Sequence, residues 1–175
     1  VGGDAITGGA LSSVSWSPDG RFISVGNVTS NTLQVFRFDG VSTPVLVVGE
    51  ATTGASPYSV SWSSDGKFIS VAGLGWPGTL RVFKFDGVST LALVGGVATG
   101  SGTYSVTWSP NSRFISVVNS GSNNLQVFKV NYGYETTPLA LSNSVVFKDL
   151  RSLEADANVN VLGGARVELD GFMCV

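Results

Sequence analysis

Ser13-Val14-Ser15-Trp16-Ser17-Pro18-Asp19-Gly20-Arg21-Phe22-Ile23-Ser24-Val25 is the first of three near-copies of one stretch, the others being Ser59 to Val71 and Ser105 to Val117. Trp16, Trp62 and Trp108 recur at a step of 46 residues, and Phe22, Phe68 and Phe114 keep the same step. A repeat of this length belongs to a propeller blade or a helical-repeat unit, and the residues inside it choose between them. In an extended chain Val14 and Trp16 face one way and the flanking serines the other. Pro18-Asp19-Gly20 then supplies a fixed φ, a side-chain acceptor and a residue tolerant of positive φ, which together make a hairpin turn. The second copy carries Ser64-Asp65-Gly66 and the third Pro110-Asn111-Ser112. Asp19, Gly20, Asp65, Gly66 and Asn111 are therefore turn residues, and Ser112 is a poorer fit than glycine for a left-handed position.

Working outward, Arg21 to Gly26 and Thr32 to Phe38 read as a second and a third strand. Both carry apolar residues on their two faces, as expected of strands sandwiched between neighbouring sheets. A fourth strand falls around Pro44 to Val48 in the first unit and Leu91 to Val94 in the second. The stretch from Trp62 to Leu80 is one residue longer than its counterparts, Trp16 to Leu33 and Trp108 to Leu125, so the insertion sits in the loop between the second and third strands. No unit places apolar residues at helical spacing over even ten positions, which disfavours a helical solenoid. The expected architecture is all-β: three four-stranded antiparallel propeller blades of an incomplete β-propeller. Its repeat core is Trp16, Trp62, Trp108, Phe22, Phe68, Phe114, Phe36, Phe83 and Phe128.

On these residues the chain resembles the WD40-like propellers. The stretch from Ser13 to Val25 is similar to the first two strands of such a blade, and Thr32 to Asp39 to the third, with Phe36, Phe83 and Phe128 standing where that family often has Trp. The Trp-Asp and Gly-His pairs of the family, and the buried tetrad that goes with them, are missing; the sequence contains no histidine. Lactonase-type and TolB-type propeller repeats are also similar. The resemblance implies a rigid platform that binds another protein through its loops and rim.

A ring takes roughly four to eight blades, so three do not close one. Val1 to Gly8 resembles Val94 to Gly100, and residues 1–11 are read as the end of a preceding repeat, with 12–142 as the three blades. Residues 143–175 form a β-rich tail in which two alternating runs flank Gly163-Gly164, as in a hairpin or one rung of a solenoid. The expectation is a piece of a longer repeat protein, with self-association through open blade edges as the alternative.

Composition narrows the function. Hydrophobic residues make up 43% and charged residues 13% of 175, too apolar for a disordered chain. The net charge is −2 and the ten Lys and Arg are scattered, which speaks against nucleic-acid binding. No apolar run approaches the ~18 residues of a membrane span. The single cysteine, Cys174, forms no internal disulfide. Low charge with abundant Gly, Ser and Thr points to the cell surface or beyond it.

With no histidine there is no imidazole base, nucleophile partner or metal ligand, and the recurrent acids Asp19, Asp65, Asp39 and Asp86 have turn roles that need no metal. The expectation is a chain that is not an enzyme, with no cofactor and no metal, acting as a protein-interaction scaffold. Two alternatives stand beside it: a lactonase-like propeller hydrolase, and a repetitive cell-surface or adhesive protein. The candidate interaction loop is Leu74, Trp76 and Pro77, where an aromatic on a glycine-rich loop either contacts a partner or packs over a neighbouring strand. Asn27-Val28-Thr29 matches a glycosylation sequon, and the recurrent Asn27, Asn31, Asn119 and Asn123 read as turn residues.

Overall fold

The computed structural model describes residues 3–131 and 140–147, the latter as backbone alone. Among the described residues twelve strands form three antiparallel meanders. Blade 1 is β1 (Leu11–Trp16), β2 (Phe22–Asn27), β3 (Thr32–Arg37) and β4 (Val45–Thr52). Blade 2 is β5 (Ser56–Trp62), β6 (Phe68–Leu74), β7 (Thr79–Phe85) and β8 (Leu91–Ala98). Blade 3 is β9 (Thr103–Trp108), β10 (Phe114–Asn119), β11 (Asn124–Asn131) and β12 (Ala140–Phe147). The expected all-β blades are present, and the fourth strand of blade 3 continues to Phe147. The hairpin or solenoid rung expected in the tail lies outside the described residues.

The repeated turn closes by one hydrogen-bond pattern in all three blades. In blade 1 the Ser17 hydroxyl donates to Asp19 Oδ1 (2.5 Å), the Arg21 amide donates to the same oxygen (3.1 Å), and the Phe22 amide donates to Ser17 Oγ (2.9 Å). Ser63, Asp65, Lys67 and Phe68 repeat it, as do Ser109, Asn111, Arg113 and Phe114. Gly20 and Gly66 take φ of 70° and 71°, and Ser112 is held at 57° in the same place. The left-handed strain at Ser112 is offset by a contact: its hydroxyl accepts the Asp65 amide of the blade before (3.2 Å).

The first strands of successive blades, β1, β5 and β9, lie side by side, while contact between the fourth strands is slight. The sheets therefore fan out from their first strands, and the core is the filling between them. Phe22, Leu33 and Val35 of blade 1 pack against Val60, Trp62, Ile69 and Val71 of blade 2. Phe68, Ala72, Leu80 and Val82 of blade 2 pack in the same way against Val106, Trp108, Ile115 and Val117 of blade 3. Both faces of blade 2 are covered, which is why β6 and β7 lack a clean alternation.

Burial follows from this stacking. Trp62 and Trp108 are buried, as are Phe22, Phe68, Phe36, Phe83 and Phe128. Trp16 is placed with them by the repeat but is 51% exposed, and Phe114 is 36% exposed. Each lies on the side of its blade that no other described blade covers. On that same side of blade 1 Val25 and Phe36 are 7% and 3% exposed, so what covers each position is not given by the repeat pattern alone.

Candidate functional site

Three features stand apart from blade packing: the wall formed by the first strands, a polar network at one end of the blades, and the loop bearing Trp76.

The wall is built by bulges. The pairing of β1 with β2 shifts between Leu11 and Ser13, that of β5 with β6 between Pro57 and Ser59, and that of β9 with β10 skips Tyr104. Ser12, Tyr58 and Tyr104 thus occupy one repeat position, each the extra residue of a bulge, and a bulge re-aims the side chain it carries. Tyr58 and Tyr104 meet edge to face with centroids 5.2 Å apart and remain partly exposed. The Ser12 hydroxyl sits against the Pro57 carbonyl. Serines one position along tie the strands together: Ser13 Oγ accepts the Val60 amide (3.1 Å) and Ser59 Oγ accepts the Val106 amide (3.2 Å). The result is a hydroxyl- and phenol-bearing surface on the inner side of the fan. Such a surface can donate hydrogen bonds to an oxygen-rich ligand and stack against its ring. The sequence reading missed it because a bulge leaves no mark in an alternating pattern.

The network lies where the second strand of a blade meets its third. Asn119 Nδ2 donates to Gln126 Oε1 (2.9 Å) and Asn124 Oδ1 (2.7 Å), and Asn119 Oδ1 accepts from the Thr103 hydroxyl (2.6 Å). Gln126 Oε1 also accepts the Gly100 amide (2.9 Å). In blade 1, Asn27 and Gln34 both donate to the Thr7 carbonyl (2.9 and 3.2 Å), while Asn27 Oδ1 accepts the Thr29 and Ser30 amides. Asn27 and Asn119 are buried strand ends that clamp the incoming chain, and Asn27 also caps the turn after its strand through the Thr29 and Ser30 amides, as turn chemistry expects. In the folded chain the Asn27 amide of the sequon is buried and donates to the Thr7 carbonyl. Blade 2 replaces the pair with Gly73 and Arg81, and the Arg81 guanidinium covers Gly54 and donates to the Thr52 carbonyl (3.3 Å).

Trp76 is 78% exposed, in a loop where Pro77 is also exposed and Leu74 is half-buried. The backbone beneath it is fixed: the Gly78 amide donates to Gly100 O (3.1 Å) and the Gly102 amide to Gly75 O (3.1 Å). The ring leans over Gly121 of blade 3, where a Cβ would lie 2.7 Å from Trp76 Cη2. One edge of the ring is packed and most of the ring is open.

The turn acids stay with the turns. Asp19 and Asp65 border a groove of about 200 Å³ between the turns of blades 1 and 2, alongside Ser17, Pro18, Arg21 and Ser64. The Ser17 hydroxyl holds the Asp19 carboxyl below its usual range. Amides of Ser42 and Val41 lower Asp39, and those of Thr90, Val88 and Ser89 bring Asp86 down to about 2. These carboxylates are satisfied as acceptors for backbone amides. Among the described residues no three His, Cys, Asp or Glu gather as a metal site would require.

Residues 3–75 match the family model described as Lactonase, 7-bladed beta-propeller. A Bacteroides uniformis protein assigned as a 6-phosphogluconolactonase superposes with a TM-score of 0.62 at 19% identity, over 75% of this chain and 39% of its own. A Bacteroides fragilis protein with the same assignment gives 0.62 at 23%, over 74% and 36%. Saccharomyces cerevisiae Sqt1 gives 0.69 at 15%, over 84% and 38%. The chain thus spans under two-fifths of the length of each. No curated protein matches it. The shared feature is the propeller fold, and the chain is a propeller repeat protein.

These comparisons correct one expectation. The chain was read as not an enzyme, whereas the Lactonase match and the lactonase-assigned neighbours point to a hydrolase. The missing imidazole spoke only to histidine-based chemistry, and the turn acids spoke only to themselves. The comparisons also favour the lactonase-like alternative over the scaffold.

Proposed function

We propose that the three blades belong to a lactonase-type propeller hydrolase that acts on a sugar-derived lactone. The observation that carries this reading is the Lactonase match over residues 3–75, which span blade 1 and the first two strands of blade 2. It favours the lactonase type among the propeller repeats that the sequence resembles. Residues 1–11 fit the end of a preceding repeat in this scheme: Gly8 and Gly54 share a φ near 75°, and Thr7 receives the clamp from Asn27.

Hydrolysis of a lactone needs a surface that orients the ring and donors that meet the carbonyl oxygen as it gains charge. The wall of Ser12, Tyr58 and Tyr104 offers both, with phenol faces for the ring and hydroxyls for its oxygens. The test is lactone opening by the chain, with 6-phosphoglucono-δ-lactone as substrate, followed by acid release at constant pH. The expected result is a rate above the spontaneous one that falls several-fold in Tyr104→Phe and in Tyr58→Phe. A rate equal to the spontaneous one, with no shift of tyrosine ring resonances on adding the lactone, refutes the reading.

A further inference from the structure

Blade 2 departs from blade 3 at one corner, where the chain crosses from β4 to β5. At the crossing into blade 3 two side-chain oxygens close the backbone: Gln126 Oε1 accepts the Gly100 amide (2.9 Å) and Ser122 Oγ accepts the Ser101 amide (2.7 Å). The counterparts at the crossing into blade 2 are the Gly54 and Ala55 amides. Neither has a hydrogen-bond partner among the described residues. Two replacements account for this. Arg81 stands where Gln126 stands, so a donor takes the place of an acceptor, and the longer loop of blade 2 carries Trp76 at the place of Ser122.

The rest of the corner is adjusted to the guanidinium. Asn119, whose side chain donates to Gln126, becomes Gly73, which removes a donor that would face Arg81. Gly54 is held at φ 75° with the guanidinium lying where its Cβ would stand, and the Arg81 stem runs beside Gly96. Arg81 is half-buried, and among the described residues it donates one hydrogen bond, to the Thr52 carbonyl (3.3 Å), and meets no carboxylate. Gly73 lies between Ala55 and Thr79, and Thr79 Oγ1 is buried without a partner. A guanidinium with unused N–H groups beside two consecutive open amides makes a set of donors that lacks its acceptors. All of these residues belong to the junction of blades 1 and 2.

We propose that this corner is an anion site, in which the Arg81 guanidinium and the Gly54 and Ala55 amides take one phosphate group, free or carried as a monoester. The oxygens of the ligand fill the places that Gln126 Oε1 and Ser122 Oγ hold in blade 3. In blade 3 those two acceptors come from separate side chains, and the guanidinium adds a third set of donors. Three donor groups call for at least three oxygens on one centre, which phosphate has and a carboxylate lacks. The site is separate from the wall of Ser12, Tyr58 and Tyr104, and its test needs no turnover.

The chain labelled with nitrogen-15 is titrated with sodium phosphate, against sodium chloride at equal ionic strength, and the amide resonances are followed. The Gly54 and Ala55 amides are expected to move to saturation with phosphate and to stay still with chloride. Arg81→Gln installs the residue that blades 1 and 3 carry, and is expected to weaken the response by at least ~10-fold with the spectrum still dispersed. Arg81→Lys, which keeps the charge but loses the fork, is expected to fall between the two. Arg37→Gln removes an exposed arginine of β3 and should leave the response unchanged. Glycerol 3-phosphate separates the two forms of the ligand: tighter binding than phosphate marks a carried group, equal or weaker binding the free ion. Gly54 and Ala55 amides that do not move with phosphate overturn the proposal. So does a response that chloride reproduces, that survives Arg81→Gln, or that Arg37→Gln reduces equally.

Discussion

Trp62→Ala and Trp16→Ala remove the same side chain from the same repeat position in two environments. Trp62 is 6% exposed, pairs with Phe85 and donates to the Ser15 carbonyl, so its loss costs the packing of a large buried aromatic and one indole hydrogen bond. That sum is about 3 to 5 kcal/mol. Trp16 is half-exposed and packs edge-on against Phe38 of its own blade, so its truncation should cost about 1 to 2 kcal/mol. Urea unfolding followed by far-ultraviolet dichroism separates the two. With a slope of about 2 kcal/mol per molar, the midpoint should fall by roughly 1.5 to 2.5 M for Trp62→Ala and by roughly 0.5 to 1 M for Trp16→Ala. Equal shifts, or a shift below about 1 M for Trp62→Ala, would refute the idea that blade-to-blade burial determines what each copy of the repeat contributes.

Three further outcomes follow from the same geometry. Asn119→Ala should destabilise by about 2 to 4 kcal/mol in the same urea assay, because the Thr103 hydroxyl and Gln126 lose a buried partner. Gly121→Ala should cost about 1 to 3 kcal/mol, since the new Cβ meets Trp76 and the Ser101 backbone, and Trp76→Ala in the same chain should restore part of it. Asp86 should titrate at about 2 by carboxyl-carbon NMR. Its folded value is lowered, so its stabilising contribution is present above the ordinary value near 3.8 and is lost as pH falls towards 2, with the Thr90 amide resonance moving over the same range.

Strand identity and turn chemistry were legible because both are local. The Ser-x-Asp pattern, Ser-x-Asn in blade 3, closes each turn with atoms no more than five residues apart, so Ser17 to Phe22 contains all that its geometry requires. Blade stacking was legible in part, from apolar residues on both faces of β2 and β3. The exposure of Trp16 and Phe114 was not, because it depends on what lies beside a blade. Nor were the clamps of Asn27 and Asn119, whose partners Thr7, Thr103 and Gln126 lie 20, 16 and 7 residues away. For these the sequence showed only recurring asparagines, which turn chemistry explains equally well. The wall residues escaped for a third reason: Ser12, Tyr58 and Tyr104 differ among the copies, so a search for what repeats passes over them.

That last difference has a use. At each bulge one residue is surplus to the ladder, so strand pairing does not dictate its side chain, and Ser12 makes only local contacts with the Gly26 and Pro57 carbonyls. Val14, Val60 and Val106, two positions along, are identical, while the surplus residue has already become serine in one blade and tyrosine in two. The inner surface can therefore be rewritten one blade at a time, like separate keys on a common frame, at little cost to the fold. A designer who wished to change what this surface holds would begin at residue 12, where the side chain is smallest and its two siblings show that a phenol fits.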